Sequence, residues 1–444
     1  MQPIAADRSD KGGLGHLVAG GLFLLVLAYY WMTLTPFPDL GRASAADPWG
    51  GNSNVLNQAV ALSLLAALIV FALRHPLLRQ IGQPRLLIAA IFGWFALTSM
   101  FADDPATALR RVVLSLVLVV SAAVFLLLPR NERQFAKLLA IGLGSLLALC
   151  YYGVLLKPMV SIHQTTDVGE PLLAGLWRGF YGHKNIAAPA MAFTVFAGLY
   201  VYARWSRLAG ILLAVGALYF LARTGSKTSL AMVPATIIVA WAFERWRGLR
   251  VPIVVGGLSL FNFIAVGSAV WPGVAQFVDS LGIDASFTDR VAIWQLAFES
   301  IAQRPLTGFG FQSFWQTGEL VYGGGLLETW AVTAANAHNA FLDTAINAGI
   351  PGLVLVVFWV IVRPLRDFGK AQTSGNDPVL SRLFLRIWLY GIFASSLESF
   401  FFVNAGPPWF TILLGMFGLG YQARVRLVAA AAVPVAAPPE AAHA

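Results

Sequence analysis

The sequence predicts an all-α, polytopic membrane protein: a bundle of about twelve transmembrane helices and one large outward-facing loop that contains an amphipathic helix. Three observations predict this class. Of the 444 residues, 58% are hydrophobic and only 11% are charged, whereas soluble domains are about 25% charged. Apolar runs long enough to cross a bilayer, roughly 17 to 25 residues each, recur along most of the chain. These runs are continuous and lack the alternation of barrel strands, so the backbone must satisfy its hydrogen bonds within helices.

The helices are predicted in chain order from the apolar runs and their polar flanks. The first is an uncleaved span, because the stretch from Leu17 to Leu34 is longer than the core of a signal peptide and Ala43-Ser44-Ala45 lies well beyond it. The single cysteine, Cys150, lies within the fifth run, so no intramolecular disulfide forms. The predicted spans are 17–35, 55–73, 86–101, 112–128, 136–156, 186–203, 208–222, 228–243, 251–271, 340–362, 383–403 and 408–423.

The distribution of Lys and Arg predicts the orientation of the bundle. If both termini and every second loop are cytoplasmic, 20 of the 30 Lys and Arg residues lie on that side and 10 on the other. Residues 1–271 then carry spans one to nine, 272–339 form the large outward loop, 340–426 carry spans ten to twelve, and 427–444 form a disordered, Ala/Pro-rich cytoplasmic tail. Both termini are therefore predicted to be cytoplasmic.

The large loop contains the pattern of an amphipathic helix that lies on the membrane surface. Residues 286–289 resemble a capping box, and Pro305 marks the end of the helix. The apolar residues between them recur at helical spacing: Val291, Trp294, Phe298 and Ile301.

Composition and motifs argue against several classes of function. The net charge of +9 is spread in short flanks of apolar runs, which is typical of membrane orientation and not of a nucleic-acid surface. No group of His, Cys and carboxylate residues has zinc spacing. Gly225-Ser226-Lys227-Thr228 lacks the upstream glycine and the Gly-Lys pair of a phosphate loop. We therefore expect no metal and no cofactor, and membrane lipids but no nucleic acid as partners.

Polar residues are concentrated near span ends on the outward side, where few cations are expected. One interpretation is that each reaches toward lipid headgroups or caps a helix; the other is that they converge on one site. Glu398 differs from them, because it lies in the apolar run 392–403, where a carboxylate costs on the order of 2.5 to 3.5 kcal/mol and needs a cationic partner. The outward residues are Arg178, His183, Lys184, Asn185, Arg223, Lys227, Arg290, His338 and Asn339.

Several cations at the outer interface suit a diphosphate group, because guanidinium binds phosphate oxygens bidentately and ammonium acts as a point charge. A lipid-linked diphosphate would lie at that depth. When such a diphosphate leaves a sugar, cations can neutralise its developing charge without a metal. A histidine is the usual general base for the acceptor hydroxyl.

Five ordered motifs resemble the bacterial O-antigen ligase and polymerase superfamily, over about residues 175 to 355. They are Arg178-Gly179-Phe180-Tyr181-Gly182-His183-Lys184-Asn185, Ser226-Lys227-Thr228-Ser229, Asp289-Arg290 with Ile293-Trp294, Pro305-Leu306-Thr307-Gly308-Phe309-Gly310, and Ala337-His338-Asn339-Ala340-Phe341-Leu342-Asp343 with Gly349-Ile350-Pro351-Gly352. The form His183-Lys184-Asn185 is most similar to the exopolysaccharide and O-antigen polymerase branch. The first five helices resemble the superfamily only in hydropathy.

The resemblance implies a metal-independent glycosyltransferase of the bacterial inner membrane that works on the periplasmic side. Its donor would be an undecaprenyl-diphosphate-linked glycan. Its acceptor would be another glycan if it is a polymerase, or lipid A core if it is a ligase. A polysaccharide chain-length regulator is the protein partner that the resemblance suggests.

The same resemblance implies roles for individual residues. His338 matches the loop histidine that activates the acceptor, and Arg223 and Arg290 match the arginines that bind the diphosphate. The remaining residues predicted at the substrate site are Arg178, His183, Lys184, Asn185, Lys227, Asn339 and Glu398.

Two alternatives to a polymerase are considered. A ligase shares the scaffold, and the polymerase is favoured only by the form of the His183 motif. A glycan or ion-coupled transporter belongs to another class, since carboxylates within the membrane also mark ion pathways. Against transport, the polar residues lie toward one face of the membrane and most spans carry no charge.

Overall fold

The computed structural model describes residues 13–41, 55–167, 171–280, 290–322, 330–373, 378–404 and 406–425. In these ranges the regular secondary structure is all helical, with one isolated β-bridge between Ile162 and Trp177. The capping-box residues 286–289 and the predicted tail 427–444 lie outside the described residues.

Sixteen α-helices occur in the described ranges, and π-helical turns at Pro252–Gly256 and Phe358–Val362 adjoin three of them. The helices are α1 (Gly13–Met32), α2 (Val55–Leu73), α3 (Arg85–Ser99), α4 (Pro105–Phe125), α5 (Glu132–Leu156), α6 (Lys184–Arg204), α7 (Arg207–Arg223), α8 (Lys227–Arg245), α9 (Gly257–Val270), α10 (Pro272–Ser280), α11 (Arg290–Gln303), α12 (Gly318–Tyr322), α13 (Ala340–Val357), α14 (Arg363–Thr373), α15 (Pro378–Ala394) and α16 (Pro407–Gln422).

Each of the twelve predicted spans overlaps one of these helices. Six helical segments of the described chain are long and apolar enough to cross a membrane: Val55–Leu73, Pro105–Phe125, Glu132–Leu156, Lys184–Arg204, Arg247–Val270 and Ala340–Thr373. This supports a multi-pass membrane protein, while the number of twelve spans stays a prediction. Helices α6, α15 and α16 are buried along most of their length and form the centre of the bundle.

The predicted span 383–403 differs from the structure at its end. Helix α15 stops at Ala394, and residues 395–404 form turns before α16. The carbonyls of Ser395 and Ser396, which would accept hydrogen bonds in a longer helix, accept instead from the backbone of Ala340 (2.8 Å) and from the Asn339 side chain (3.0 Å). The sequence predicts that Glu398 lies within a membrane-spanning helix. The structure differs, because Glu398 lies in a turn between α15 and α16.

The amphipathic helix predicted in the large loop is α11, and its apolar face is buried against the protein and not on the membrane surface as predicted. Trp294 is fully buried, and its indole N–H donates to the carbonyl of Ala337 (2.9 Å). The same face packs beside α9 and α13. Helix α11 thus fastens the middle of the predicted loop to its end, next to His338.

Helix α13 is broken at Gly349, which has φ 66° and ψ −178°. The break frees carbonyls of the first half of α13 inside the bundle, where each needs a hydrogen-bond partner. The segment Pro305–Gly310 and α3 supply most of these partners. The backbone N–H groups of Phe309 and Gly310 donate to the carbonyls of Ile346 (2.8 Å) and Asn347 (3.1 Å). The Trp94 indole N–H donates to the Ala348 carbonyl (2.8 Å). Beyond the break, the Ile350 N–H donates to the Pro305 carbonyl (2.8 Å).

The break predicts that Gly349→Ala destabilises the fold strongly. A residue with a Cβ pays roughly 1 to 3 kcal/mol in this backbone conformation, and the Cβ would overlap the Leu306 carbonyl. Thermal unfolding in detergent should show a clear loss of stability. Gly93→Ala in α3 is the matched control, because a Cβ there meets nothing within 4 Å. Equal melting temperatures for the two variants would contradict the account of the break.

The predicted orientation can be tested with single cysteines at two exposed positions, Leu172 and Arg79, in a Cys150→Ala background. Leu172→Cys is expected to react with an impermeant thiol reagent on intact spheroplasts, because its loop is predicted to face outward. Arg79→Cys should react only after the membrane is permeabilised. Labelling of Arg79→Cys but not of Leu172→Cys on intact spheroplasts would show that the orientation is the reverse of the predicted one.

Candidate functional site

A carboxylate, a guanidinium and an imidazole from three separate segments meet at Glu398. Arg290 Nη2 donates to Glu398 Oε1 (2.7 Å), and His338 Nδ1 lies 3.2 Å from Glu398 Oε2. Arg290 Nη1 also donates to the backbone carbonyl of Leu397. The side chains of Arg290, His338 and Glu398 are 17%, 29% and 22% exposed, so the cluster is accessible at one side. Glu398 therefore has the cationic partner that the sequence requires.

Arg290 and His338 favour the ionised form of Glu398. Burial opposes ionisation, but Arg290 and His338 outweigh it and lower the pKa of this carboxyl from 4.5 to about 2. A depressed pKa means that the carboxylate stabilises the fold fully above about pH 4.5, and that this contribution is lost as the pH falls toward 2. At neutral pH Glu398 is ionised and can only accept hydrogen bonds.

The backbone around His338 is fixed from both sides. His338 has φ 47°, an uncommon conformation for a residue other than glycine. Its N–H donates to Asn336 Oδ1 (2.9 Å), and the next residue, Asn339, caps α13 by accepting from the N–H groups of Phe341 (3.0 Å) and Leu342 (3.1 Å).

A buried amide network joins this cap to two other segments. Asn339 Nδ2 donates to Asn262 Oδ1 (2.9 Å) on α9 and to the Ser396 carbonyl (3.0 Å). Asn262 Nδ2 in turn donates to Ser396 Oγ (2.8 Å). The start of α13, the middle of α9 and the turn that carries Glu398 therefore form one hydrogen-bonded unit. Asn339 acts in it as a structural residue.

A second group of predicted site residues lies at the start of α6. His183 is its N-cap, and His183 Nδ1 accepts from the Asn185 N–H (3.0 Å). The first residue of the helix, Lys184, donates its backbone N–H to His163 Nε2 (3.3 Å). Because His163 accepts at Nε2, its proton is on Nδ1, which lies 3.0 Å from Asp167 Oδ2. His163 is buried, which lowers its pKa, and it fixes the start of α6 in the neutral form.

Arg178 lies inside this second group, away from solvent. The residue is fully buried, and its guanidinium donates to the carbonyls of Pro38 (3.1 Å) and Tyr181 (3.2 Å). The Phe37 N–H adds a bond to the Phe180 carbonyl (3.0 Å). In this structure Arg178 ties the first loop to the motif, and no side of its guanidinium is open to a ligand.

Arg223 and Lys227 are exposed on either side of the turn between α7 and α8. The Arg223 guanidinium lies over the Trp177 ring at 5.1 Å from its centroid. The backbone N–H of Trp177 donates to the backbone carbonyl of Arg223 (3.1 Å). Among the described residues no carboxylate pairs with either cation. One turn into α8, the Ser229 hydroxyl bonds the Tyr390 hydroxyl (3.0 Å), which ties α8 to the helix that precedes Glu398.

The structure thus brings the predicted residues into two groups and not into one continuous contact. His338, Arg290, Glu398 and Asn339 form the first; Arg178, His183, Lys184, Asn185, Arg223 and Lys227 surround the starts of α6 and α8. Sequence reasoning missed His163, Asp167, Trp177 and Asn262. A signal for the first pair was present, because His163 and Asp167 are polar residues with a spacing of four in an outward loop.

No set of three His, Cys, Asp or Glu side chains in the described part of the chain is placed to hold a metal ion. Independence from metal stays a prediction of the sequence.

Residues 211–357 match the family model described as O-Antigen ligase. The chain is 24% identical over 215 residues to Exopolysaccharide production protein ExoQ of Rhizobium meliloti, which covers 46% of this chain and 48% of that protein. It is 22% identical over 169 residues to a Rickettsia felis protein named "Putative polysaccharide ligase", covering 35% and 40% of the two chains. The chain spans about half the length of the curated relatives it matches. These matches confirm the resemblance to the O-antigen ligase and polymerase superfamily.

The His163 contacts predict a local effect that does not depend on activity. His163→Phe removes the acceptor of the Lys184 N–H and leaves the Gln164 N–H as the donor to the Asp167 carboxylate, and the loss of a hydrogen-bond partner costs about 1 to 3 kcal/mol for a buried group. Hydrogen exchange at the first amides of α6 should become faster. The control is His75→Phe. It removes a hydrogen bond that the Leu77 backbone N–H donates to the His75 ring, at a position far from α6 in sequence. Unchanged exchange at α6 in the His163 variant would show that this bond does not fix the helix start.

Proposed function

We propose that this protein is a metal-independent membrane glycosyltransferase that moves a glycan from an undecaprenyl-diphosphate carrier to a sugar hydroxyl on the periplasmic side of the inner membrane, and so polymerises a surface polysaccharide. The family match and the apolar helices support glycan transfer at a membrane. The observation that carries the proposal is the contact of His338 with Glu398, because it provides a general base with a defined proton.

The position of the proton on the His338 ring follows from the contact with Glu398. The ionised Glu398 can only accept, so the proton of the imidazole lies on Nδ1 and Nε2 keeps its lone pair. Nε2 takes the proton of the acceptor hydroxyl as its oxygen bonds to the anomeric carbon of the donor. The bond from that carbon to the diphosphate breaks, and the electron pair leaves with the diphosphate. Glu398 then stabilises the imidazolium.

The cations take up the charge of the leaving group. Arg290 has five N–H donors, and the two used on Glu398 and Leu397 leave three for phosphate oxygens. Arg223 and Lys227 carry charges that no described carboxylate offsets. In this proposal Arg290 binds the phosphate nearest the sugar, and Arg223 and Lys227 attract the distal end of the head. Lys184 and Asn185 lie on the same outward side and bind the glycan.

The second candidate is a ligase that transfers the glycan to lipid A core. The names of the relatives favour it as much as polymerisation, because one is an exopolysaccharide production protein and another is named as a ligase. A chain-length regulator is proposed as a partner of the polymerase only.

Purified protein incubated with lipid-linked repeat units alone is expected to give a ladder of longer lipid-linked products. The ladder should also form in excess chelator, because cations and not a metal neutralise the leaving group. A product that appears only after lipid A core is added identifies a ligase. No transfer to either acceptor contradicts both forms of the proposal, and loss of the ladder in chelator with recovery in magnesium contradicts metal independence.

Substitutions at the base and its partner should separate the two roles. His338→Ala is expected to lose about 10² to 10⁴-fold in turnover, the usual contribution of a general base. Glu398→Gln should lose about 10 to 100-fold, as is common for a residue that orients another. His183→Ala is the matched histidine control and should lose much less. If His183→Ala is inactive while His338→Ala retains transfer, the base lies on the other loop.

A further inference from the structure

A groove runs along the bundle surface between α5 and α7. It has a volume of about 410 Å³ and a lining that is almost wholly apolar. Its walls are formed by α5 residues from Ala140 to Tyr151 and α7 residues from Ala209 to Gly216, with Trp205 at the opposite end from Tyr151. A volume of this size is within the range of ligand sites. Helix α5 is long and apolar enough to span a membrane and α7 is a predicted span, so we expect an apolar chain to fill the groove.

One end of the groove leads to a cation. Tyr151 closes that end, because its hydroxyl donates to the Gly216 carbonyl and so bridges α5 and α7 (2.8 Å). The Tyr151 ring meets the edge of Trp177 at 6.1 Å between centroids. Trp177 carries the Arg223 guanidinium on its face at 5.1 Å. The apolar groove is therefore separated from an exposed positive charge by only two aromatic rings.

We propose that this groove binds the isoprenoid chain of the lipid-linked diphosphate, with the diphosphate at Arg223. This inference rests on the proposed function, which names the carrier but not where its chain lies. A ligand for this surface needs an apolar chain and an anionic head at one end, because no described carboxylate offsets Arg223. A single cleft between two bridged helices accepts one chain, which suits an isoprenoid better than the paired chains of a phospholipid.

Gly144 offers a direct way to fill the groove. It lines the α5 wall and is half-buried, and a Cβ there meets nothing within 4 Å, so a side chain begins in open space at the groove wall. Gly93 is the matched control. It is a glycine within α3, exposed, and equally free of contacts, but it is not part of the groove.

The test compares Gly144→Phe with Gly93→Phe for binding and transfer. Binding of undecaprenyl diphosphate, without a glycan, is measured by native mass spectrometry of the detergent-purified protein. Gly144→Phe should weaken it about tenfold, since exclusion of a few methylene groups from an apolar site corresponds to at least that factor. Gly93→Phe should bind like the parent. Transfer from an undecaprenyl donor should show the same rise in KM, while transfer from a geranyl donor, whose chain is too short to fill the groove, should be equal in both variants.

The outcomes separate this inference from the proposed function. Binding that weakens only in Gly144→Phe supports the groove even if the protein transfers no glycan. Transfer with equal KM for the undecaprenyl donor in all proteins overturns the groove and leaves the glycosyltransferase proposal standing. Weaker transfer from both donors in Gly144→Phe means that the substitution acts on the fold, and this also overturns the inference. Displacement of co-purified phospholipid by Gly144→Phe, with undecaprenyl diphosphate binding unchanged, identifies the groove as a site for bilayer lipid.

Discussion

The rest of the candidate site depends on the ion pair between Glu398 and Arg290. It joins the turn after α15 to the start of α11, and the same carboxylate reaches His338 before α13. A carboxylate so enclosed by apolar helices is tolerated because a guanidinium and an imidazole share its charge. Removal of Arg290 would leave Glu398 with His338 as its remaining partner, so the segments that carry the ion pair are coupled in energy as well as in position.

A second constraint is the need of every backbone group in an apolar environment to find a partner. Where α15 ends early, its last carbonyls bond the start of α13; where α13 breaks, its carbonyls bond the segment Pro305–Gly310. The irregular segments therefore take their hydrogen bonds largely from one another, and the Trp94 indole of α3 is a further donor. The motifs between the helices serve in large part to make these hydrogen bonds. In this structure Asn339, Gly349 and Arg178 support the backbone pairing.

Hydropathy was sufficient to predict the helices, because a long apolar run leaves the backbone few alternatives in lipid. It failed at residues 395–403, since the run is apolar but its carbonyls are taken by a partner more than fifty residues away in sequence. The partner of Glu398 could be predicted as a cation but not as Arg290 in particular, because only the packing of α11 selects one arginine. His163 was missed although its spacing of four from Asp167 is visible in the sequence, because the backbone N–H that it binds carries no signature of its own.

The glycine in the middle of α13 has a mechanical consequence. A glycine at a helix break is often where two halves of a helix swing relative to each other, but here both sides of Gly349 are bonded to the same neighbouring segment. The half that begins at Ala340 cannot tilt about this point unless those bonds break together. Gly349 is therefore held rigid, and any movement that opens the site must pivot elsewhere, with the first half of α13 and the Pro305–Gly310 segment moving as one rigid block.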